Sequence, residues 1–507
     1  MIENPSSPSA ERETIPWTSP RAVVAVIAVL LAAKLAVGWK AGLIGDEAYY
    51  TLWSLYPLQA GYYDHPPAVV WFIKAGHMLL GQTAFASRLM AIMATAVCAL
   101  AVWRTGIALF VDRTVAALGA LWFSLSLGAT VGLLLITPDA PSILFWVLAI
   151  WAAAELNRGG NANWWLAFGL FAGLGLDAKY TGFFLGAGIV LWLLAYRRNR
   201  IWLRSWQLYA GGVIALALFW PVLHWNIDHD FASLQFQLGR AAEAAPGFSR
   251  MARYFPEFVA SQFGIFWPGL FLMVVAGGVL FLRRGRRDDP AVGLLVLTAA
   301  PAILYFAWHS FHSRVQGNWT LPLFGQLALL GAWAAVHWAP ADGRLRAFWF
   351  WLRRWQAPLA FLLVLALFVQ VALAPFTIPA KLPTDDMAGW PEVTGEMAAV
   401  AAENGATVAF VNDYAFMSLL ASYARFGGHD LTMMPLAGLD HFTFMPLSAP
   451  DEIDGPALYV SRGPIGVDPK ETLPVLGIEA RFLSSVVRDG PGGRPAEHVD
   501  FYLLRRP

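Results

Sequence analysis

The sequence predicts a polytopic α-helical membrane protein followed by a small α/β domain. Three observations carry this. Of 507 residues, 58% are hydrophobic and 14% charged, with a mean hydropathy of +0.53, whereas soluble globular chains carry about 25% charged residues. Apolar stretches of the length that crosses hydrocarbon as a helix, roughly 17 to 25 residues, recur from about residue 21 to 376. From about residue 377 the hydropathy falls and short strand-like and helix-like segments alternate with Gly-Pro turns.

About eleven stretches qualify, near 21–39, 84–103, 114–135, 141–156, 163–177, 182–196, 206–224, 263–282, 291–308, 321–338 and 357–376. The leader before the first carries Glu3, Glu11 and Glu13, its apolar core is long and another span follows, so it reads as a retained signal anchor rather than a cleaved signal peptide. Arginines occupy alternate connections, at Arg104 and Arg113, Arg158, Arg197 to Arg204, Arg283 to Arg287 and Arg344 to Arg354, which places those loops in the cytoplasm. Residues 1–20 are then a cytoplasmic tail, 21–376 a transmembrane domain with its first outer loop at 40–83, and 377–507 an α/β domain outside. Cys98 is the only cysteine and rules out an intrachain disulfide framework. The net charge of +1 gives no electrostatic reason to expect nucleic acid.

The reactive side chains fall in the outer loops. Asp46, Glu47, Asp64 and His65 follow the first span, Asp139 in "ITPDAPS" the third, Asp177 and Lys179 in "GLDAKYTG" the fifth, "HWNIDHDF" the seventh, and His309, His312 and Arg314 in "HSFHSRVQGNW" the ninth. Ionisable groups gathered at one membrane edge mark function by default.

Each has a plainer reading. Asp46 and Glu47 fit a solvated loop, Asp139 fits a helix N-cap, Lys179 fits a snorkelling lysine, and Trp53, Tyr62, Tyr63 and Trp71 fit an interfacial aromatic belt. His309 and His312 lack a clear third ligand for zinc. The "NWT" sequon at 318–320 and the glycines of "GLGLDAKYTG", which follow no soluble strand, are chance matches to their motifs.

Taken together, the Asp-Glu of the first outer loop, "YYDHPP" about fifteen residues on, "PDAP" opening the fourth span and "AKYTG" after the fifth resemble the C-type (GT-C) glycosyltransferases that use polyprenyl-phosphate sugars. More narrowly, the chain resembles the bacterial relatives of protein O-mannosyltransferases that include the aminoarabinose and galacturonic acid transferases, in glycosyltransferase families 39 and 83. The resemblance extends through "PVLHWNIDHDFASLQFQLGR" and "SRVQGNWTLPLF" and covers most of residues 20–340.

The resemblance implies a GT-C fold in a bacterial inner membrane. It makes Asp46 the prime catalytic carboxylate, supported by Glu47, with Asp139 a second acid on the same cavity. Tyr62, Asp64 and His65 match the family's aromatic-acidic-basic-Pro-Pro segment. In the aminoarabinose branch a lysine stands at the position of His65, so the histidine here argues against that sugar and makes the charge dependent on pH. Lys179 matches the basic residue after the fifth span. A polyprenyl-phosphate sugar is the implied donor, and lipid A, lipopolysaccharide, another glycan or a protein is the implied acceptor.

The chemistry requires such groups independently. The acceptor loses a proton, for which a carboxylate serves as general base; the phosphate leaves as an anion, since its second pKa is about 6, and cations suffice to receive it. Lys179, His65 and Arg314 are candidates. Asp46 and Asp139 within about 4 Å would repel by about 4 kcal/mol at an effective dielectric of about 20, relieved by a neighbouring cation or by a divalent metal, for which Asp46, Glu47, Asp139 and His309 are candidate ligands. The resemblance implies single displacement with inversion, and the sequence shows no dedicated covalent nucleophile. Residues 66–81 read as an interfacial helix beside a groove for the lipid. The rival classes are a transporter, which would favour midplane charges and repeated halves, and a non-catalytic lipid-binding subunit.

Overall fold

The computed structural model describes residues 15–241, 248–283, 289–376, 383–448, 452, 454–475 and 477–504. Most of the leader, Arg284 to Arg287 and the expected domain boundary at 377 lie outside the described residues.

Each of the eleven apolar stretches meets a helix. Seven described helices are long and apolar enough to cross a membrane, Pro20–Lys40, Ala84–Phe110, Asp139–Gly159, Trp206–Asp228, Pro290–His309, Gly317–His337 and Gly343–Leu373, or eight if the pair Ala252–Ile265 and Pro268–Arg283, bent by 110°, is one span. The remaining stretches form shorter helices, so the count of eleven spans is not established. One reason is local: the stretch expected over 114–135 stops at Leu125, and the Ser126 hydroxyl accepts from Ala129 N–H to start the short helix Leu127–Gly132. Conversely, the helix expected from 357 already begins at Gly343 under an Asp342 cap; Arg344, Arg346, Arg353 and Arg354 disguise its first turns in a hydropathy window.

Helix Trp164–Ala178 lies close against Trp206–Asp228, where a Cβ on Gly173 would stand 2.9 Å from Ala215 Cα. Small residues permit this backbone approach, as they do between helices in lipid. On the outer surface Val213, Leu216 and Leu362 are exposed, the pattern of a bundle whose remaining cover is hydrocarbon. Residues 66–81, expected to form an interfacial helix, contain helix Ala68–Leu80, which ends in exposed Met78, Leu79 and Leu80.

The C-terminal unit holds helices Trp390–Glu403 and Tyr414–Phe426 and six strands among the described residues: β1 (Val408–Val411), β2 (Thr432–Pro435), β3 (Ala457–Gly463), β4 (Thr472–Val475), β5 (Ile478–Gly490) and β6 (Arg494–Leu504). They make one sheet in the order β2-β1-β3-β6-β5-β4, parallel across β2-β1-β3 and antiparallel beyond.

Helix Tyr414–Phe426 packs on helix Gly45–Leu55 of the first outer loop. The Tyr423 hydroxyl accepts from Leu43 N–H at 2.8 Å, the Ser422 hydroxyl donates to Ala48 O at 3.0 Å, and Gly42 N–H donates to Met387 O at 2.8 Å. A Cβ on Gly45 would meet Ala415 Cβ at 2.5 Å. The C-terminal unit therefore sets the position of the helix that carries Asp46.

Candidate active site

Helix Gly45–Leu55 starts with two acids that point to different fates. Glu47 is fully buried and accepts from four donors: Arg88 Nε at 2.6 Å, Arg88 Nη2, Ile136 N–H at 2.9 Å and Ile44 N–H at 3.2 Å. Arg88 also donates to the carbonyls of Ala41 and Gly42, both at 2.6 Å. A carboxylate offers about four acceptor sites, so Glu47 is saturated by protein. Asp46, beside it, opens onto a cavity.

Asp139 is the first residue of its helix, whose cap residue is Pro138 without a side-chain cap bond. Its carboxylate caps nothing; Lys179 Nζ donates to Oδ1 and Asn318 Nδ2 to Oδ2, each at 2.7 Å. Lys179 leaves a helix end at Ala178 in extended backbone, which turns its side chain inward, where it is 8% exposed, rather than out to the lipid boundary. An ammonium has three donors, and Asp139 takes one.

The segment between helices Gly45–Leu55 and Ala68–Leu80 carries Asp64 and His65. Tyr62 N–H donates to His65 O at 3.3 Å, making a tight turn. Gln237 Nε2 donates to Asp64 O at 2.6 Å, and Asp64 Oδ1 lies 2.8 Å from Nδ1 of His441 in the C-terminal unit. Gly61 is seated on Trp225, where a Cβ would come within 2.7 Å of the indole.

These elements enclose a cavity of about 840 Å³, within the size range of ligand sites. Its lining combines the polar side chains of Asp46, Asp64, His65, Asp139, Lys179 and Asn318 with aromatic ones, Phe183, Phe184, Tyr305 and Phe306 among them. The pKa of Asp46 is raised, first by enclosure, which removes water from around the carboxylate, and then by the negative charges of Asp64, Glu47 and Asp139.

Of the residues singled out in the sequence, Asp46, Asp64, His65, Asp139, Lys179 and His309 line this cavity. Glu47 does not, because Arg88 and the backbone consume it. Nor does Tyr62, which is buried and stacked on Trp53 with ring centroids 3.9 Å apart; this pair is core rather than an interfacial belt. Arg314 also stands apart, with a side chain 74% exposed and 3.4 Å from Glu257. Among the described residues no three His, Cys, Asp or Glu side chains are grouped to hold a metal, and the set Asp46, Glu47, Asp139 and His309 does not form such a group.

The model of the family "Dolichyl-phosphate-mannose-protein mannosyltransferase" matches residues 64–225. The chain is 25% identical over 430 residues to lipid A galacturonosyltransferase RgtD of Rhizobium johnstonii, spanning 82% of this chain and 85% of that one. It is 25% identical over 390 residues to the undecaprenyl phosphate-alpha-4-amino-4-deoxy-L-arabinose arabinosyl transferase of Pseudomonas paraeruginosa, over 63% of this chain and 67% of that one. The chain is a glycosyltransferase. The transferase also shares its fold with ArnT from Cupriavidus metallidurans in its complex with undecaprenyl phosphate, with a TM-score of 0.63 at 17% identity over 94% of this chain and 97% of that one.

Sequence reasoning about the transferase missed Tyr414 and His441, which the C-terminal unit contributes to the cavity. Both lie more than 300 residues from Asp64, in segments without a catalytic pattern. Asn318 and Gln237 fall within motif stretches, but nothing in their spacing pairs Asn318 with Asp139 or Gln237 with Asp64.

Proposed function

We propose that this glycosyltransferase moves a sugar from a polyprenyl phosphate to lipid A on the periplasmic face of the inner membrane. The observation that supports it most is the union of two chemistries in one cavity: an acid and cation cluster suited to a sugar phosphate, and aromatic side chains suited to a prenyl chain. Relatives named for lipid A and for undecaprenyl phosphate point to the same substrates.

In this reading Asp46 is the general base. Its carboxylate faces the cavity and has a raised pKa, which favours taking a proton from an acceptor hydroxyl. Asp139 is unsuited to that task because Lys179 and Asn318 hold both of its oxygens; it aims Lys179. The remaining Lys179 donors and His65 receive the phosphate as the glycosidic C–O bond breaks and negative charge gathers on the departing oxygen. The acceptor oxygen forms its bond to the anomeric carbon from the opposite face, giving inversion in one displacement. Galacturonic acid is the favoured donor sugar, from the extent of the match to RgtD.

The test is transfer of labelled sugar from a panel of polyprenyl-phosphate donors to lipid A, with wild type and Asp46→Asn at matched folding. A base of this kind contributes about 10²- to 10⁴-fold, and a loss of that size is expected. Undiminished transfer by Asp46→Asn would remove Asp46 from the mechanism, and no transfer by wild type from any donor would overturn the reading.

A further inference from the structure

We propose that His441 is a positioning residue of the transfer site, through which the C-terminal unit fixes the 57–67 segment over the cavity by its bond to Asp64. Only the kinetic part of this proposal rests on the function proposed above.

The segment 57–67 has no regular secondary structure of its own beyond turns and bends, so its conformation depends on what grips it. Besides the packing of Tyr62 on Trp53 and of Tyr63 on Phe236, three further contacts grip it. Trp225 of helix Trp206–Asp228 lies under Gly61, Gln237 of helix Ala232–Ala241 holds the Asp64 carbonyl, and His441 holds the Asp64 side chain. The last reaches the side chain of Asp64, which lines the cavity. Asp64 is 6% exposed, and a buried carboxylate needs a partner to remain there.

His441 is itself held rigidly. It sits in a turn of 3₁₀ helix, Leu439–Phe442, and its carbonyl accepts from the Tyr49 hydroxyl at 2.9 Å. Its ring packs among Tyr63 and Tyr414, each at 5.2 Å between centroids, and Phe236 at 5.7 Å. Tyr49 lies one helical turn after Asp46 on the same helix. The chain of contacts Asp64, His441, Tyr49 thus ties the segment bearing Asp64 and His65 to the helix bearing Asp46. A misplacement of about 1 Å in such a constellation costs about 10²-fold in rate, which is the scale on which this tie acts.

The experiment compares full-length wild type, His441→Ala and His441→Asn in detergent or nanodisc by hydrogen exchange and by kinetics. Asparagine retains a side-chain N–H near the place of Nδ1. The expected result is faster exchange across 57–67 in His441→Ala, wild-type exchange in helix Trp390–Glu403, and restoration across 57–67 in His441→Asn. The expected kinetic counterpart is a fall in kcat of about 10- to 100-fold in His441→Ala, with a smaller change in donor KM and partial rescue by asparagine. Unaltered exchange across 57–67 in His441→Ala, or identical behaviour of the alanine and asparagine variants, would overturn the proposal. Absence of transfer by wild type would count against the proposed function, while the exchange comparison would still decide for or against the positioning role.

Discussion

Two buried acid-base pairs flank the cavity, and they differ in what is left over. Glu47 and Arg88 consume one another and four backbone groups, so no hydrogen-bonding capacity faces the cavity. Asp139 and Lys179 lie at the cavity wall, and the ammonium retains donors beyond the one that Asp139 accepts. Burial and opposite charge are common to both. The difference lies in saturation: a pair closed on all sides joins elements, whereas one with donors to spare can meet a substrate.

The largest effect expected from this contrast is in folding. Arg88→Ala strands the Glu47 carboxylate among Ile44, Ile136 and buried neighbours, at a cost of about 3–5 kcal/mol, read as loss of folded yield or a lower thermal midpoint in detergent. A variant that folds like wild type would refute the structural reading of this pair. Lys179→Ala should act chiefly on chemistry, lowering transfer about 10²- to 10³-fold, as removal of a transition-state donor does, while Lys179→Arg keeps part of it. Equal kinetics per folded molecule would place Lys179 with Arg88 as a structural cation.

A finer test uses pH. As the proposed base Asp46 must be ionised, and its raised pKa in the free protein puts the acid limb of kcat/KM above the ordinary carboxylate value of about 4. Activity therefore rises with pH through that pKa. Asp64→Asn removes the foremost of the neighbouring negative charges and should move the limb to lower pH without abolishing it, since enclosure is the larger cause. An unmoved limb would assign it to another group. The smallest effect is expected from Arg314→Ala, an exposed partner of Glu257, with stability and transfer both near wild type. A large loss of transfer would bring Arg314 back to the donor phosphate.

The sequence carried the helical membrane character because the hydrocarbon demands length and apolarity in each span, and both are local properties. It carried Asp46, Asp64, His65, Asp139 and Lys179 as a set because each stands at an edge of an apolar stretch, where a charge is costly enough to notice. It did not separate Glu47 from Asp46, since adjacent acids look alike until Arg88 arrives from another helix. Nor did it separate Tyr62 from Tyr63: the first is stacked on Trp53 in the core, the second against His441.

By itself, then, the amino-acid order determined a bundle of apolar helices, an α/β unit after it and a concentration of ionisable groups in alternate connections, because hydropathy and charge spacing act over a few turns of chain. Tertiary structure alone decided which carboxylate is saturated and which is open, that Asn318 completes Asp139, and that His441 joins Asp64 across more than 300 residues. Hydrogen bonds of that kind depend on where helices and sheet come to rest against one another, and no local pattern encodes the distance between two side chains brought together only by packing.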